Sequence, residues 1–276
     1  MYLITQEQIK QLLGIGTTDG PSINCQTVNI KLSTDGGLTF PIILKSHEDY
    51  ILPTNVPANA FLNLEGEKLS TSRNWAIWLH EYLEDFKGQE DALRYALCAT
   101  APESKDTDFT WADFQARNNN ELVAIFGNFI NRVVVLTNNY WDGVVPTCNT
   151  LDAYDKEILE KLKAFPDKIG ASIEKYRFRE ALGELMNLAR LGNKYLADTE
   201  PWKLKKTDEQ RTETIMNISM QIAASLAILS EPFMPFSSNK LKEILSLDNV
   251  SWNDAGGIII TDWYGEEDEN ESIKIK

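Results

Sequence analysis

Phe61-Leu-Asn-Leu-Glu-Gly-Glu-Lys-Leu-Ser-Thr-Ser-Arg-Asn-Trp75 is the stretch from which the rest of the chain is read. Phe61 to Leu64 is a short apolar run with strand composition, and Glu65-Gly66 behind it is a turn signal. Lys68-Leu69-Ser70-Thr71-Ser72 then forms a loop, and a helical pattern begins near Asn74. A lysine and two hydroxyls on a loop can follow a polyphosphate. The ammonium is a point charge, while serine hydroxyls and loop N–H groups are directional donors. A solvated surface loop is the competing reading of Lys68, Ser70 and Ser72, and for these residues alone it is the simpler one.

Motifs downstream decide between the two. Asp91-Ala-Leu-Arg-Tyr95 follows the loop, and Ala101-Pro-Glu103 leads to Asp108-Phe-Thr-Trp111, Asn119-Asn-Glu-Leu122 and Gly127-Asn-Phe-Ile-Asn-Arg132. Lys68 to Ser72 resembles the K-M-S-K-S signature of class I aminoacyl-tRNA synthetases, and Asp91 to Tyr95 resembles the D-A-L-R-Y that follows it there. In order and spacing the set is similar to the methionyl-tRNA synthetase family, from its signature loop into its anticodon-binding domain, over about residues 38–250.

The resemblance implies a mainly α chain. It predicts an antiparallel helix bundle of the class I anticodon-binding type, preceded by a small β-containing remnant of the catalytic domain. Residues 1–37 match nothing in the family, 38–73 correspond to the remnant with the signature loop, 74–250 to the helical domain, and 251–276 to an acidic tail. The family's catalytic domain opens with an H-I-G-H-type signature on a Rossmann-like half. His47 and His80 are the chain's two histidines, so no H-x-x-H occurs. The sequence therefore looks like a C-terminal half, for which ATP is a cofactor of the intact family and none is expected by the chain alone.

Composition narrows the classes further. Of 276 residues, 43% are hydrophobic and 25% charged, as in ordinary globular proteins. No apolar run approaches the ~20 residues of a membrane span, and no leader pattern opens the chain, so a cytoplasmic protein is expected. Cys25, Cys98 and Cys148 are too scattered for a disulfide framework or a metal knuckle, and no metal site is predicted. A net charge of −14 opposes nonspecific binding to nucleic acid, DNA included, but not selective docking of one folded RNA. Lys203, Lys205 and Lys206 beside Trp202, and Lys175, Arg177 and Arg179 before it, are local basic spots, the latter three expected on a helix.

Along the chain, Gln6 to Leu13 reads as a short helix, Thr27 to Ser33 as a strand, and Asp35-Gly36-Gly37 as a hairpin turn. Further short sheet segments are expected at Phe40–Leu44, Ile51–Pro53 and Val56–Pro57. Asn74 is predicted to cap a helix through Phe86, Gly88 to break it, and Glu90 to Thr100 to form the next. Thr110-x-x-Asp113 and Thr207-x-x-Gln210 read as capping boxes. The first should open a helix to about Asn138. Others are expected over Leu151–Leu162, Ile173–Leu196, Glu209–Ser230 and Lys240–Leu247, with Gly256 to Thr261 as a closing strand. Asp91 and Arg94 read as a pair bracing the loop against the bundle.

Leu122, Phe126, Phe129, Val133 and Leu136 share one helix face, and Ala124, Asn128 and Arg132 another. An Asn and an Arg one turn apart can read a base edge and hold a phosphate; periodicity alone favours an ordinary solvated face. Trp202, after Pro201 and before the lysines, suits stacking on an unpaired base, against the bland alternative of a core tryptophan. The resemblance assigns Asn128, Arg132 and Trp202 to anticodon binding, with Asn193 and Tyr195 as the lead-in. Ala124 stands where the family often has Asn. It assigns Lys68, Ser70 and Ser72 to stabilising the pyrophosphate leaving group, with Thr71 in place of a second lysine and Arg73 close by. Methionine tRNA is the implied partner, with a separate catalytic half as a second. The other readings are a non-catalytic helical paralogue acting in interaction or regulation, and a gene fragment without its own function.

Overall fold

The protein's computed structural model describes residue 55 and residues 57–260. The expected helix at Gln6, the sheet segments from Thr27 to Pro53, the Asp35 hairpin and the acidic tail from Asp262 lie outside these residues. The fold is mainly α, an antiparallel helix bundle joined to a small three-stranded sheet.

Glu65 and Gly66 both take positive φ, 51° and 79°, as a tight primed hairpin turn requires. The turn joins β1 (Leu62–Leu64) antiparallel to β2 (Glu67–Lys68). β3 (Thr107–Phe109) pairs parallel on the other side of β1, with Leu64 opposite Phe109. Asp108 accepts the Gly66 N–H at 2.9 Å and Glu65 accepts the Trp111 N–H at 2.8 Å, so both turn residues are tied to the β3 end. Leu64, Ala96 and Phe109 form a small apolar core here, with Ile77, Leu93 and Phe114 packed around it.

α1 (Leu79–Asp85) begins later than predicted. Asn74 does not cap it: Asn74 sits in a turn at φ 54°, and its Oδ1 accepts the Trp78 indole N–H at 3.0 Å. Gly88, at φ 81°, separates α1 from α2 (Glu90–Ala99). Asp91 and Arg94 do not pair with each other. Asp91 accepts the Ser237 N–H at 2.6 Å, and Arg94 donates to the carbonyls of Phe233 and Pro232 at 3.1 and 3.0 Å. Both therefore brace α2, Arg94 against the turn at Pro232 and Phe233 and Asp91 against the start of the helix that follows it.

Thr110 caps α3 (Trp111–Arg117) by accepting the Asp113 N–H at 3.0 Å, as its spacing predicts. A π-helical stretch, Asn118–Gly127, carries the chain into α4 (Asn128–Trp141). α5 (Ala153–Lys163) opens on a reciprocal Asp152–Asp155 capping box. The single helix expected over Ile173–Leu196 is two, α6 (Phe165–Glu174) and α7 (Phe178–Thr199), parted where Tyr176 takes φ 59°. Lys175 and Arg177 lie in that break, not on a helix. After α8 (Pro201–Leu204), Asp208 rather than Thr207 caps α9 (Glu209–Leu229), accepting the Arg211 N–H at 3.0 Å.

α9 is buried on every side from Thr214 to Leu229, which makes it the centre of the bundle. Its two buried carboxamides bond flanking chain: Asn217 donates to Pro146 O at 2.8 Å, and Gln221 accepts the Ile259 N–H at 2.9 Å. Gly256 to Ile260 is thus tethered to α9 by side chains and is not the expected strand, because Gln221 and Ser225 meet the hydrogen bonds a partner strand would supply. α10 (Pro235–Ile244) starts earlier than predicted, with Pro235 in the first turn, where its missing N–H costs nothing.

Candidate nucleic-acid interface

Phe129, fully buried, fixes α4 against α7. A Cβ on Gly192 of α7 would come within 2.5 Å of its ring carbons, so only glycine allows this approach. The residues beside that contact also meet. Asn128 Nδ2 donates to Asn193 Oδ1 at 3.0 Å, and Asn193 Nδ2 donates to the carbonyls of Ile125 and Ala189 at 2.8 and 3.1 Å. One turn further along α4, the Arg132 guanidinium lies 4.9 Å from the centre of the Trp202 ring.

Trp202 is held at the α7–α8 corner. Glu200 takes the left-handed region there (φ 44°), and Pro201 is buried in the first turn of α8. The indole remains 38% exposed, so it is not a core tryptophan, and Asn128 is exposed as well. Trp202 thus lies beside the α4 face that carries Asn128 and Arg132, the three residues that the sequence assigned to one site. Ala124 is exposed within the π-helical stretch.

The cations around them differ in how far they are committed. Lys203 pairs with Glu200 at 2.7 Å; Lys205 pairs with Glu209 and stands 4.2 Å above the Trp141 ring. Arg132 makes no ion pair with any described carboxylate. Its planar fork can bind a phosphate oxygen pair while its other face stays on the indole. An exposed indole, an uncommitted guanidinium and an exposed carboxamide suffice to stack a base, hold its phosphate and bond its edge.

A buried polar network, not anticipated from sequence, anchors both ends of this corner. Asp155, with no exposed surface, accepts the Tyr195 hydroxyl at 2.6 Å and both terminal nitrogens of Arg211, and Arg211 also reaches Asp152 at 2.8 Å. Burial alone would raise the Asp155 carboxyl, but the Arg211 guanidinium, the Tyr195 hydroxyl and the Asp152 N–H outweigh it and hold it below its ordinary value. Burial and the Asp155 charge push the Tyr195 hydroxyl well up. Tyr195 on α7 and Arg211 on α9 flank α8, so the network sets where Trp202 is presented. The only sequence signal was the Asp152-x-x-Asp155 spacing.

The Lys68 loop is a second, separate cluster. Ser70 and Trp75 exchange both backbone hydrogen bonds, at 2.9 and 2.8 Å, closing the Thr71–Asn74 turn. The Ser70 and Ser72 hydroxyl oxygens stand 3.2 Å apart. Arg73 turns back on the loop, donating to Lys68 O at 3.2 Å and facing Glu67 at 3.8 Å. The exposed Lys68 ammonium rests 5.3 Å from the Phe61 ring centre. Among the described residues no group of three or more His, Cys, Asp or Glu can hold a metal, and no helix is long and apolar enough to cross a membrane.

Two family models fall one after the other on this chain. Residues 35–134 match tRNA synthetases class I (M), and residues 145–262 match the anticodon binding domain of methionyl tRNA ligase. The chain belongs to the methionyl-tRNA synthetase family. The methionine–tRNA ligase of Cytophaga hutchinsonii is 65% identical over 221 residues, covering 80% of this chain and 32% of that protein. That of Christiangramia forsetii is 68% identical over 209 residues, covering 76% and 30%. The chain therefore spans about a third of the length of these curated relatives. Its fold matches a Mycobacterium tuberculosis methionyl-tRNA synthetase solved in complex with methionyl-adenylate, with a TM-score of 0.71 at 24% identity over 79% of this chain and 42% of the other. Within the synthetase family match, Arg132 and Trp202 lie in different matched segments, so their contact joins the two.

Proposed function

We propose that this chain binds the anticodon stem-loop of methionine tRNA and supplies anticodon recognition to a methionyl-tRNA synthetase. The observation that carries this reading is the Arg132–Trp202 contact beside the exposed Asn128. In it, Trp202 stacks on an unpaired anticodon base, Asn128 bonds a base edge, and Arg132 takes a backbone phosphate. A net charge of −14 leaves such a local site as the means of holding RNA, because the body of the protein repels phosphates.

The remaining assignments rest on the family. Lys68, Ser70 and Ser72 serve the ATP-dependent step, placing positive charge and donors on the pyrophosphate as the aminoacyl adenylate forms. Thr71 contributes no cation there, and Arg73 is engaged with the loop's own backbone. Residues 38–73 belong functionally with a catalytic half, on the same or a separate chain, and residues 74–250 with anticodon binding. The given chain, tested alone, is expected not to exchange pyrophosphate into ATP with methionine.

Titrating the purified chain with a labelled methionine anticodon stem-loop tests the reading. Saturable binding that is lost on changing the anticodon supports it. Equal affinity for both stem-loops would defeat it.

A further inference from the structure

Asn193 lies next to Asn128, and its hydrogen bonds leave it one orientation. Its Nδ2 is 2.8 Å from Ile125 O and 3.1 Å from Ala189 O, both backbone carbonyls and therefore acceptors only. Turning the carboxamide over would set oxygen against oxygen at both contacts. Asn193 Oδ1 must then face Asn128, and only Asn128 Nδ2 can donate to it, as it does at 3.0 Å. Asn128 Oδ1 is left outward on an exposed side chain and accepts from no described residue. Ile125 belongs to the π-helical stretch that ends at Gly127, so the same amide also ties down the junction from which α4 starts.

We infer that Asn193 is a positioning residue: it fixes the Asn128 carboxamide with its carbonyl oxygen outward, so the site accepts a hydrogen bond from an exocyclic amine on an anticodon base. This rests on the anticodon reading above. Cytosine and adenine present such an amine, whereas uracil and guanine present a carbonyl at the corresponding place. A fixed acceptor discriminates between them because a carbonyl opposite it is left facing another oxygen, unpaired. With Asn193 removed, Asn128 can rotate and offer either end, and the choice is lost.

The test uses three stem-loops: the methionine CAU anticodon, its C→U replacement and its A→G replacement, each exchanging amine for carbonyl. For the wild-type chain, at least one replacement weakens binding about tenfold or more, the equivalent of one such contact. Asn193→Ala lowers affinity for CAU and shrinks that penalty to roughly threefold or less, and it adds nothing in an Asn128→Ala background. A penalty unchanged in Asn193→Ala, or a full further loss in the Asn128→Ala background, would overturn the inference. Thermal melting checks that each variant is folded. If Asn193→Ala does not fold, side-chain amide NMR of the wild type decides: one bonded and one free Asn128 amide proton support the inference, and two free ones contradict it. A wild-type chain with no preference for CAU would instead remove the anticodon reading itself, a result distinct from a preference that is present but insensitive to Asn193.

Discussion

The Arg132 guanidinium lies 4.9 Å from the centre of the Trp202 ring, although the two residues are far apart in sequence and come from segments matched by different family models. Such a contact at a half-exposed indole is worth about 0.5–1 kcal/mol. That is too little to explain the placement as a device for stability. It does orient a cation and an aromatic surface toward the same space.

Arg132→Ala should therefore leave unfolding almost unchanged and act on RNA. Affinity for the methionine stem-loop should fall, and the slope of log K against log salt should drop by about one if the partner is a single phosphate. An unchanged slope would place the Arg132 contact on a base.

Gly192→Ala tests the packing beneath the site. The new methyl meets the Phe129 ring at 2.5 Å, deep in the contact between α4 and α7. Overpacking of this kind costs ~1–3 kcal/mol, readable as a lowered urea midpoint. Since the Asn128–Asn193 bond lies beside the contact, stem-loop affinity should fall in the same variant even where it remains folded.

Acid should loosen the corner through Asp155. Its folded carboxyl is held below the ordinary value, so the network's contribution is complete above about pH 4, where the unfolded chain's carboxyl is ionised. It is lost as pH falls below that range through the depressed folded value. Asp155→Asn should cost about 3–5 kcal/mol at neutral pH, toward the lower end because Arg211 keeps Asp152 at 2.8 Å. The variant's stability should also vary less between pH 5 and pH 2 than the wild type's; parallel profiles would contradict this assignment.

Local chemistry was the legible part of the fold. Glu65-Gly66 as a turn, Gly88 as a break and Thr110 as a cap each follow from one residue's backbone preference or side-chain reach, and each is present. What sequence misplaced depended on distant partners. Asn74 binds Trp78 instead of a helix end, Asp91 reaches Ser237, and Gln221 holds Ile259 where a strand was expected. The break at Tyr176 needed a left-handed residue that is neither Gly nor Asn, which no propensity announces. At the candidate site, Asn128, Arg132 and Trp202 were visible as residue types, but Asn193 and the Asp155–Arg211 pair act through bonds across helices that no linear spacing encodes.

The most direct measurement is the affinity of wild type and Trp202→Ala for the methionine anticodon stem-loop and for one with a changed anticodon. Trp202→Ala should lose roughly 1–3 kcal/mol on the methionine stem-loop, the value of one base stacked on an aromatic ring. The variant should bind the two RNAs almost alike while melting close to the wild type, as a half-exposed side chain allows. A folded Trp202→Ala chain that keeps both the affinity and the selectivity of the wild type would contradict the account.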